Sequence, residues 1–294
     1  MTADASHRST SDPVAQRHLV AAPSGERGAS RCFVRPRPRI SPTLRLIVFP
    51  HAGGSAAMYH ALAAELPPDW ELLVLELPGR GKRHAEELIA ALPALVARAT
   101  EDVAPWLGTP VALFGHSLGA ILAAEVARAC ERLGAPPVWV GVSGRIAPVL
   151  QPRARRLSTL DDATLLTEVL AMGGTPARIC ELPELRDRFL RVVRADIAVL
   201  ESYHPARDRR PLGCPVTAFA GTADAYAAPA AMQRWDRETA GAFGLRLFAG
   251  GHFYFLGPAF AELGRAVVRE IEPHVPVDRP RPETTNGCKP ATIS

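Results

Sequence analysis

The amino-acid sequence predicts an α/β fold with a mostly parallel central sheet that is covered by helices. Short, nearly continuous apolar segments alternate with longer stretches rich in Ala, Leu, Glu and Arg. Strands that are apolar along their whole length are buried on both faces, and alternation with helices is typical of a parallel sheet. A chain of 294 residues that is 47% hydrophobic has enough material for one such domain.

Six short segments are predicted to be strands because they are apolar and bounded by turn residues. These strands are 44–49, 71–76, 111–115, 138–142, 216–220 and 245–249. The longer stretches predict helices over 57–66, 86–104, 118–133 and 258–272.

The alternation breaks after the fourth predicted strand, where three helical segments follow one another: 157–171, 179–182 and 184–202. The last of these carries an apolar stripe that includes Leu185, Phe189 and Val193. An insertion at this point predicts a helical lid over about 145–207, and packing helices without a gating role are the alternative.

The two ends of the chain differ in composition from the rest. Residues 1–40 are rich in Ser, Ala, Arg and Pro, and residues 276–294 are similar, so both are predicted to be disordered tails. The folded domain is then expected over 41–275. The net charge of +4 is concentrated in the first forty residues, which hold seven Arg against three acidic residues. A near-neutral body with basic ends argues against nucleic-acid binding.

The chain lacks the signals of other compartments and of metal sites. No apolar run reaches the roughly 18 residues of a membrane span, and no secretory signal is recognisable, so a cytoplasmic location is expected. The five Cys residues are far apart, with no C-x-x-C and no zinc-type spacing with His. They are predicted to be reduced thiols.

The strongest local motif is Gly115-His116-Ser117-Leu118-Gly119, which follows an apolar strand and precedes a long helix. This is the context of the G-x-S-x-G nucleophile elbow of the α/β-hydrolase fold. The turn is so tight that the flanking positions need glycine, and it raises the serine above the sheet at a helix N-terminus. The motif predicts Ser117 as the nucleophile.

A base and an acid are predicted from the ends of later strands. His252 follows the last predicted strand in Gly250-Gly251-His252-Phe253, which gives the chain order Ser, acid, His of this fold. Asp224 lies at the tip of strand 216–220 and is the favoured acid. Asp196 and Asp208 are the alternatives, and both belong to the insertion or its exit.

Two backbone N–H groups are predicted to bind the oxyanion. One belongs to Leu118, and the other to the turn after the first strand, where Ala52 is the first choice and Gly53 the second. His51 and His116 flank the reaction centre and are predicted to be packing residues. Ser143 also ends a strand, but no long helix follows it at once, so it is not favoured as a nucleophile.

With these residues placed, the chain resembles type II thioesterases, the separate hydrolases that accompany modular polyketide and nonribosomal peptide synthetases. The resemblance runs in order over 44–272 and is carried by FPHAGGSA (49–56), LELPGRGKR (75–83), FGHSLGA (114–120), LPELRDRFLRVVRADIAVLESY (182–203), AFAGTADAY (218–226) and GGHFYF (250–255). The family commonly has Pro after the acid, whereas Ala225 follows Asp224 here.

The resemblance implies hydrolysis of acyl groups from the phosphopantetheine arm of an acyl or peptidyl carrier protein. Ser117 would be acylated, His252 would shuttle the proton, and Asp224 would orient His252, with the oxyanion held by Ala52 and Leu118. No cofactor or metal is expected, and we expect a monomer with neither a nucleic-acid nor a membrane partner. A general esterase or lipase would use the same triad, and a non-catalytic binding module would be expected to lack one member of it.

Overall fold

A computed structural model of the chain describes residues 31–150, 156–176, 178–206 and 209–276. Its centre is a seven-stranded sheet with the order β1-β3-β2-β4-β5-β6-β7, in which β1 is antiparallel to β3 and all other pairs are parallel. The strands are β1 (Phe33–Val34), β2 (Leu44–Phe49), β3 (Trp70–Leu75), β4 (Val111–His116), β5 (Trp139–Ser143), β6 (Val216–Gly221) and β7 (Phe243–Phe248). The predicted parallel sheet is confirmed, and the six predicted strands agree with β2–β7 to within two residues.

The described helices follow the predicted pattern, except that two are shorter than predicted: only Leu62–Glu65 of the segment 57–66 is α-helical, and the segment 86–104 lacks its first turns. They are α1 (Leu62–Glu65), α2 (Leu92–Val103), α3 (Leu118–Arg132), α4 (Asp162–Met172), α5 (Arg178–Glu181), α6 (Pro183–Glu201), α7 (Pro229–Met232) and α8 (Ala259–Ile271). The predicted helix 86–104 begins only at Leu92. Pro93 occupies its first turn, where the missing N–H of proline is tolerated, and the preceding residues form a loop.

The strand β1 lies inside the segment that was predicted to be a disordered tail. Its Phe33 side chain is buried and packs edge-on against Trp106, with the ring centroids 5.8 Å apart. A strand of two residues is too short to show a periodic pattern, so the prediction of disorder is wrong for these two residues. Residues 1–30 and 277–294, the remainder of the predicted tails, lie outside the described residues.

Two hydrophobic clusters cover the two faces of the sheet. Successive residues of β2 alternate between them: Ile47 and Phe49 belong to the cluster with α2 and α3, whereas Leu46 and Val48 belong to the cluster with α1 and α8. All residues of β2 are buried. Burial on both faces explains why these strands are apolar at most positions, and it makes the sheet a rigid base for loops at its carboxyl edge.

The helices between β5 and β6 pack on one another around a third, small cluster. Its buried members are Leu165, Val169, Leu190, Val193 and Ile197. The C-terminal half of α6 is also fixed to the rest of the domain. Val199 belongs to the hydrophobic cluster that contains α2 and α3, and the Ser202 hydroxyl accepts a 3.0 Å hydrogen bond from the Leu92 N–H.

The beginning of the same helix is much less buried. Leu185, from the predicted apolar stripe, is 44% exposed, and α5 has no buried residue. The segment is therefore helical and unevenly anchored, while its role as a lid stays a prediction.

Hydrogen exchange tests this uneven anchoring. Amides of α5 and of the first two turns of α6 are expected to exchange faster than those of β4 and β6, because local opening there exposes little apolar surface. The last two turns of α6 are expected to exchange almost as slowly as the sheet. Uniform protection across α4, α5 and α6 would show that the insertion is held as one rigid unit.

Candidate active site

A cavity of about 1240 Å³ opens at the carboxyl edge of the sheet, beneath the inserted helices. The residues that follow β2, β4, β5 and β7 line its floor, among them Ala52, Ser117, Ile146 and His252. Ligand sites of open parallel sheets form at this edge, because loops from adjacent strands converge there. The cavity is the candidate active site.

Ser117 sits in a strained turn between β4 and α3. Its φ of 55° and ψ of −112° make it the one non-glycine residue with positive φ among the residues described. A Cβ atom on Gly115 would lie 1.9 Å from the carbonyl oxygen of Gly119, and one on Gly119 would lie 1.9 Å from that of Phe49. Only glycine fits either position. A 2.8 Å hydrogen bond from the Ser117 N–H to the Ser143 carbonyl helps to keep the backbone in this strained conformation.

His252 is buried and paired with Asp224. Its Nδ1 lies 2.9 Å from Asp224 Oδ2, and the other carboxylate oxygen accepts hydrogen bonds from the N–H groups of Tyr226 at 2.8 Å and Ala227 at 3.1 Å. Burial acts to raise the pKa of Asp224, but the hydrogen bond and charge of His252, with the two backbone donors, outweigh it and lower the pKa. The carboxylate is therefore ionised at neutral pH and is able to orient the imidazole.

The predicted nucleophile and base line the same cavity. In the part of the chain that the structure describes, the Ser117 hydroxyl has no hydrogen-bond partner. Contacts of this kind are often long before substrate binds and shorten in the reacting complex. The geometry brings Ser117, His252 and Asp224 to one edge of the sheet, and their catalytic roles stay predictions.

One of the two alternative acids differs from Asp224 in its surroundings. Asp196, on α6, is bound by Arg80 through both carboxylate oxygens and by the Gly53 N–H, so its acceptors are occupied by groups other than a histidine. Asp208 lies outside the described residues. The hydrogen bond to His252 thus favours Asp224.

The backbone N–H groups predicted to bind the oxyanion differ in whether they already have a hydrogen-bond acceptor. The N–H groups of Ala52 and Leu118 have no acceptor among the described residues, whereas the Gly53 N–H donates a 2.7 Å hydrogen bond to Asp196. An engaged donor is not available to a reacting oxygen. The arrangement therefore favours Ala52, the first choice from the sequence, over Gly53.

Two further buried histidines lie near His252 and stay uncharged. His51 Nδ1 lies 2.9 Å from the Tyr59 hydroxyl, and burial, with the charges of His252 and Arg80, lowers the pKa of His51 to about 3. The His116 ring centroid is 4.8 Å from that of His252, and burial first, then the nearby histidines, lowers the pKa of His116 well below its usual value.

His116 belongs to a buried polar network that the sequence did not reveal. Its Nδ1 lies 2.8 Å from the Ser143 hydroxyl, which lies 2.7 Å from the Tyr254 hydroxyl. The Ser143 hydroxyl is thus occupied by two buried hydrogen bonds, and the Ser143 carbonyl accepts the hydrogen bond from the Ser117 N–H. The position of Tyr254, two residues after His252, could have marked it as a residue near the site. No local pattern indicated its contact with Ser143.

The described residues were searched for metal-binding clusters and for membrane-spanning helices. No group of three or more His, Cys, Asp or Glu among them is arranged to hold a metal ion. None of the helices formed by these residues is long and apolar enough to cross a membrane.

Comparison with known proteins gives matches along most of the chain. The family model described as "Thioesterase domain" matches residues 44–272. The probable cadicidin biosynthesis thioesterase of Streptomyces griseus is 38% identical over 226 residues, which are 77% of this chain and 62% of that protein. Thioesterase PikA5 of Streptomyces venezuelae is 38% identical over 258 residues, 87% of this chain and 89% of that protein. The chain thus spans less than two thirds of the first relative and most of the second.

Solved structures give the same result. The type II thioesterase BorB from the borrelidin biosynthetic cluster has a TM-score of 0.74 at 35% identity, covering 84% of this chain and 98% of that one. YbtT, a type II thioesterase from the yersiniabactin pathway, has a TM-score of 0.72 at 30% identity, covering 83% and 98%. The predicted α/β-hydrolase fold and the family resemblance are confirmed.

Substitution of Gly119 tests the tight turn on which the site is built. Gly119→Ala is expected to lower the free energy of unfolding by about 3 kcal/mol, because its Cβ meets a backbone carbonyl that cannot move aside. Displacement of the turn is expected to reduce kcat about 100-fold in the folded fraction. Urea unfolding and esterase kinetics measure the two effects.

Gly108→Ala is the matched control, since a Cβ there meets nothing within 4 Å. It is expected to change stability by no more than about 0.5 kcal/mol. A Gly119→Ala protein that behaves like this control would contradict the proposed contact between α3 and β2.

Proposed function

The chain belongs to the thioesterase family, and we propose that it hydrolyses acyl thioesters held on the phosphopantetheine arm of a carrier protein in polyketide or nonribosomal peptide biosynthesis. The observation that carries the proposal is the single cavity lined by both Ser117 and His252, whose imidazole is hydrogen-bonded to the buried Asp224. The relatives named as biosynthesis thioesterases and the structural neighbours named as type II thioesterases support the substrate class.

The first half of the reaction transfers the acyl group to the enzyme. The Ser117 hydroxyl oxygen attacks the thioester carbonyl carbon while His252 accepts its proton. The Ala52 and Leu118 N–H groups stabilise the negative oxygen of the tetrahedral intermediate. The C–S bond then breaks, and the departing pantetheine sulfur takes the proton from His252, which leaves an acyl-Ser117 ester and a free thiol.

The second half releases the acid. A water molecule attacks the acyl-Ser117 carbonyl carbon and gives a proton to His252, and the same two N–H groups hold the oxyanion. Collapse of the intermediate breaks the C–O bond to Ser117, whose oxygen recovers the proton from His252. The carboxylic acid leaves, and the enzyme is restored.

The charges around the site suit this cycle. His252 becomes cationic in each half-reaction, and the ionised Asp224 next to it stabilises that state and fixes the tautomer. His51 and His116 stay neutral at pH 7, so they add no positive charge that would oppose protonation of His252. Proton transfer is therefore directed to one imidazole.

The size and lining of the cavity suit a long substrate. Its volume of about 1240 Å³ exceeds the range of roughly 300–1000 Å³ that holds compact ligands. The inserted helices contribute apolar walls through Met172, Ile179, Phe189 and Ile197. An acyl chain joined to a pantetheine arm would fill this large volume and contact its apolar walls.

Assays with carrier-bound substrates test the proposed function. The purified protein is expected to release acyl groups from an acyl-carrier protein with a higher kcat/KM than from p-nitrophenyl esters of the same acyl chain. Ser117→Ala is expected to lower kcat by about six orders of magnitude while leaving the fold intact. A preference for the simple esters would identify a general esterase, and retention of more than about one hundredth of the activity by Ser117→Ala would remove Ser117 from the mechanism.

The acid is tested by a set of matched substitutions. Asp224→Asn is expected to lower kcat about 10⁴-fold, because the imidazole loses both its orienting acceptor and the compensating charge. Asp236→Asn, at an exposed position, is the control and should leave kcat unchanged. A greater loss in Asp196→Asn than in Asp224→Asn would place the acid in the insertion instead.

A further inference from the structure

The loop after β2, which carries the proposed oxyanion donor, is bound from the side of the inserted helices by a buried ion pair. Asp196 on α6 accepts a 2.7 Å hydrogen bond from the Gly53 N–H through Oδ2. Arg80 binds both carboxylate oxygens of Asp196, each at 2.6 Å. We infer that the Arg80–Asp196 pair positions the Ala52 N–H for oxyanion binding, an inference that rests on the proposed roles of Ser117 and Ala52.

The hydrogen bond to Gly53 acts on Ala52 through the covalent structure of the backbone. The Gly53 N–H and the Ala52 carbonyl belong to one planar peptide group. Holding that N–H on a carboxylate fixes the plane, and rotation about the Ala52 Cα bonds is then restricted. The Ala52 N–H, which has no acceptor among the described residues, is kept in one orientation before substrate binds.

Close packing restricts the same loop from the same side. A Cβ atom on Gly53, whose φ is +73°, would lie 2.4 Å from Val193 Cγ2 and 3.0 Å from Phe189 Cε2. Val193 and Asp196 are three residues apart on α6 and so share a face of the helix. The helix therefore contacts the loop through an apolar and a charged side chain together.

Arg80 has a distinct part in this arrangement. An unpaired carboxylate beside the oxyanion loop would oppose the negative charge that develops on the substrate oxygen. Arg80 neutralises Asp196 at both oxygens, and the pair is almost fully buried, with the Asp196 side chain 1% exposed. Asp196 can thus accept the Gly53 hydrogen bond without placing net negative charge at the site.

The same contacts limit how the predicted lid can move. Displacing the middle of α6 would separate a buried ion pair and release the oxyanion loop at once. Any opening that preserves the catalytic loop is therefore confined to α4, α5 and the exposed start of α6. The position of α6 and the readiness of the oxyanion site are coupled.

Kinetics with a small activated ester, p-nitrophenyl acetate, test the positioning role without any carrier protein. Asp196→Ala is expected to reduce kcat about 100-fold with KM nearly unchanged, since a misplaced oxyanion donor weakens binding of the transition state rather than of the ground state. An alkylboronic acid, which forms a tetrahedral adduct with the active serine, should lose affinity by a similar factor. Asp196→Asn keeps an oxygen acceptor for Gly53 and should recover part of both losses, to about tenfold below wild type.

The matched control is another buried Arg–Asp pair outside the site. Arg83 Nη1 lies 2.6 Å from Asp102 Oδ2, and both side chains are at least nine-tenths buried. Asp102→Ala and Asp102→Asn are expected to lower thermal stability as the Asp196 variants do, yet to keep kcat and boronate affinity within about threefold of wild type for the folded protein.

The inference is overturned if folded Asp196→Ala keeps wild-type kcat and boronate affinity, or if the Asp102 variants lose as much of both. Should Asp196→Ala fail to fold, Asp196→Asn decides, and wild-type kinetics in that variant overturn the inference. Failure of the proposed function is recognised separately: carrier thioesters would not be cleaved, or Ser117→Ala would still hydrolyse p-nitrophenyl acetate.

Discussion

The close approach of α3 to the end of β2 is the constraint on which the rest of the site depends. Gly119 lies so near the Phe49 carbonyl that no side chain fits between them, and this contact forces the chain through the strained backbone of Ser117. Since β2 and β4 are parallel neighbours, the loops that leave them emerge side by side at one edge. The nucleophile and the proposed oxyanion donor are thereby supplied by adjacent loops on a buried sheet.

Charge is distributed around this turn so that one imidazole is able to act. His51 and His116 are desolvated and neutral, while His252 alone of the three is hydrogen-bonded to a carboxylate. Another buried carboxylate near the site, Asp196, is neutralised by Arg80. The Asp224–His252 pair and the Arg80–Asp196 pair thus serve different ends: one stabilises the charge on the base, and the other holds the backbone that receives the oxyanion.

Much of this arrangement could be predicted from the sequence because its signals are local. The glycines around Ser117, the two glycines before His252 and the strand that precedes Asp224 each mark a position at the carboxyl edge of the sheet. The Arg80–Asp196 pair joins residues 116 positions apart. No local pattern indicates such a contact, so the sequence indicates Asp196 only as an alternative acid. The short strand β1 was missed for a related reason, since two residues carry no period and their stability comes from packing on Trp106.

Covalent labelling tests most directly whether Ser117 is the nucleophile of this site. A fluorophosphonate reacts with a serine that is activated by a base and faces oxyanion donors. After labelling and proteolysis, mass spectrometry is expected to locate one adduct per chain on Ser117, with no adduct in Ser117→Ala and normal labelling in Ser143→Ala. An adduct on Ser143, or unchanged labelling of Ser117→Ala, would contradict the account.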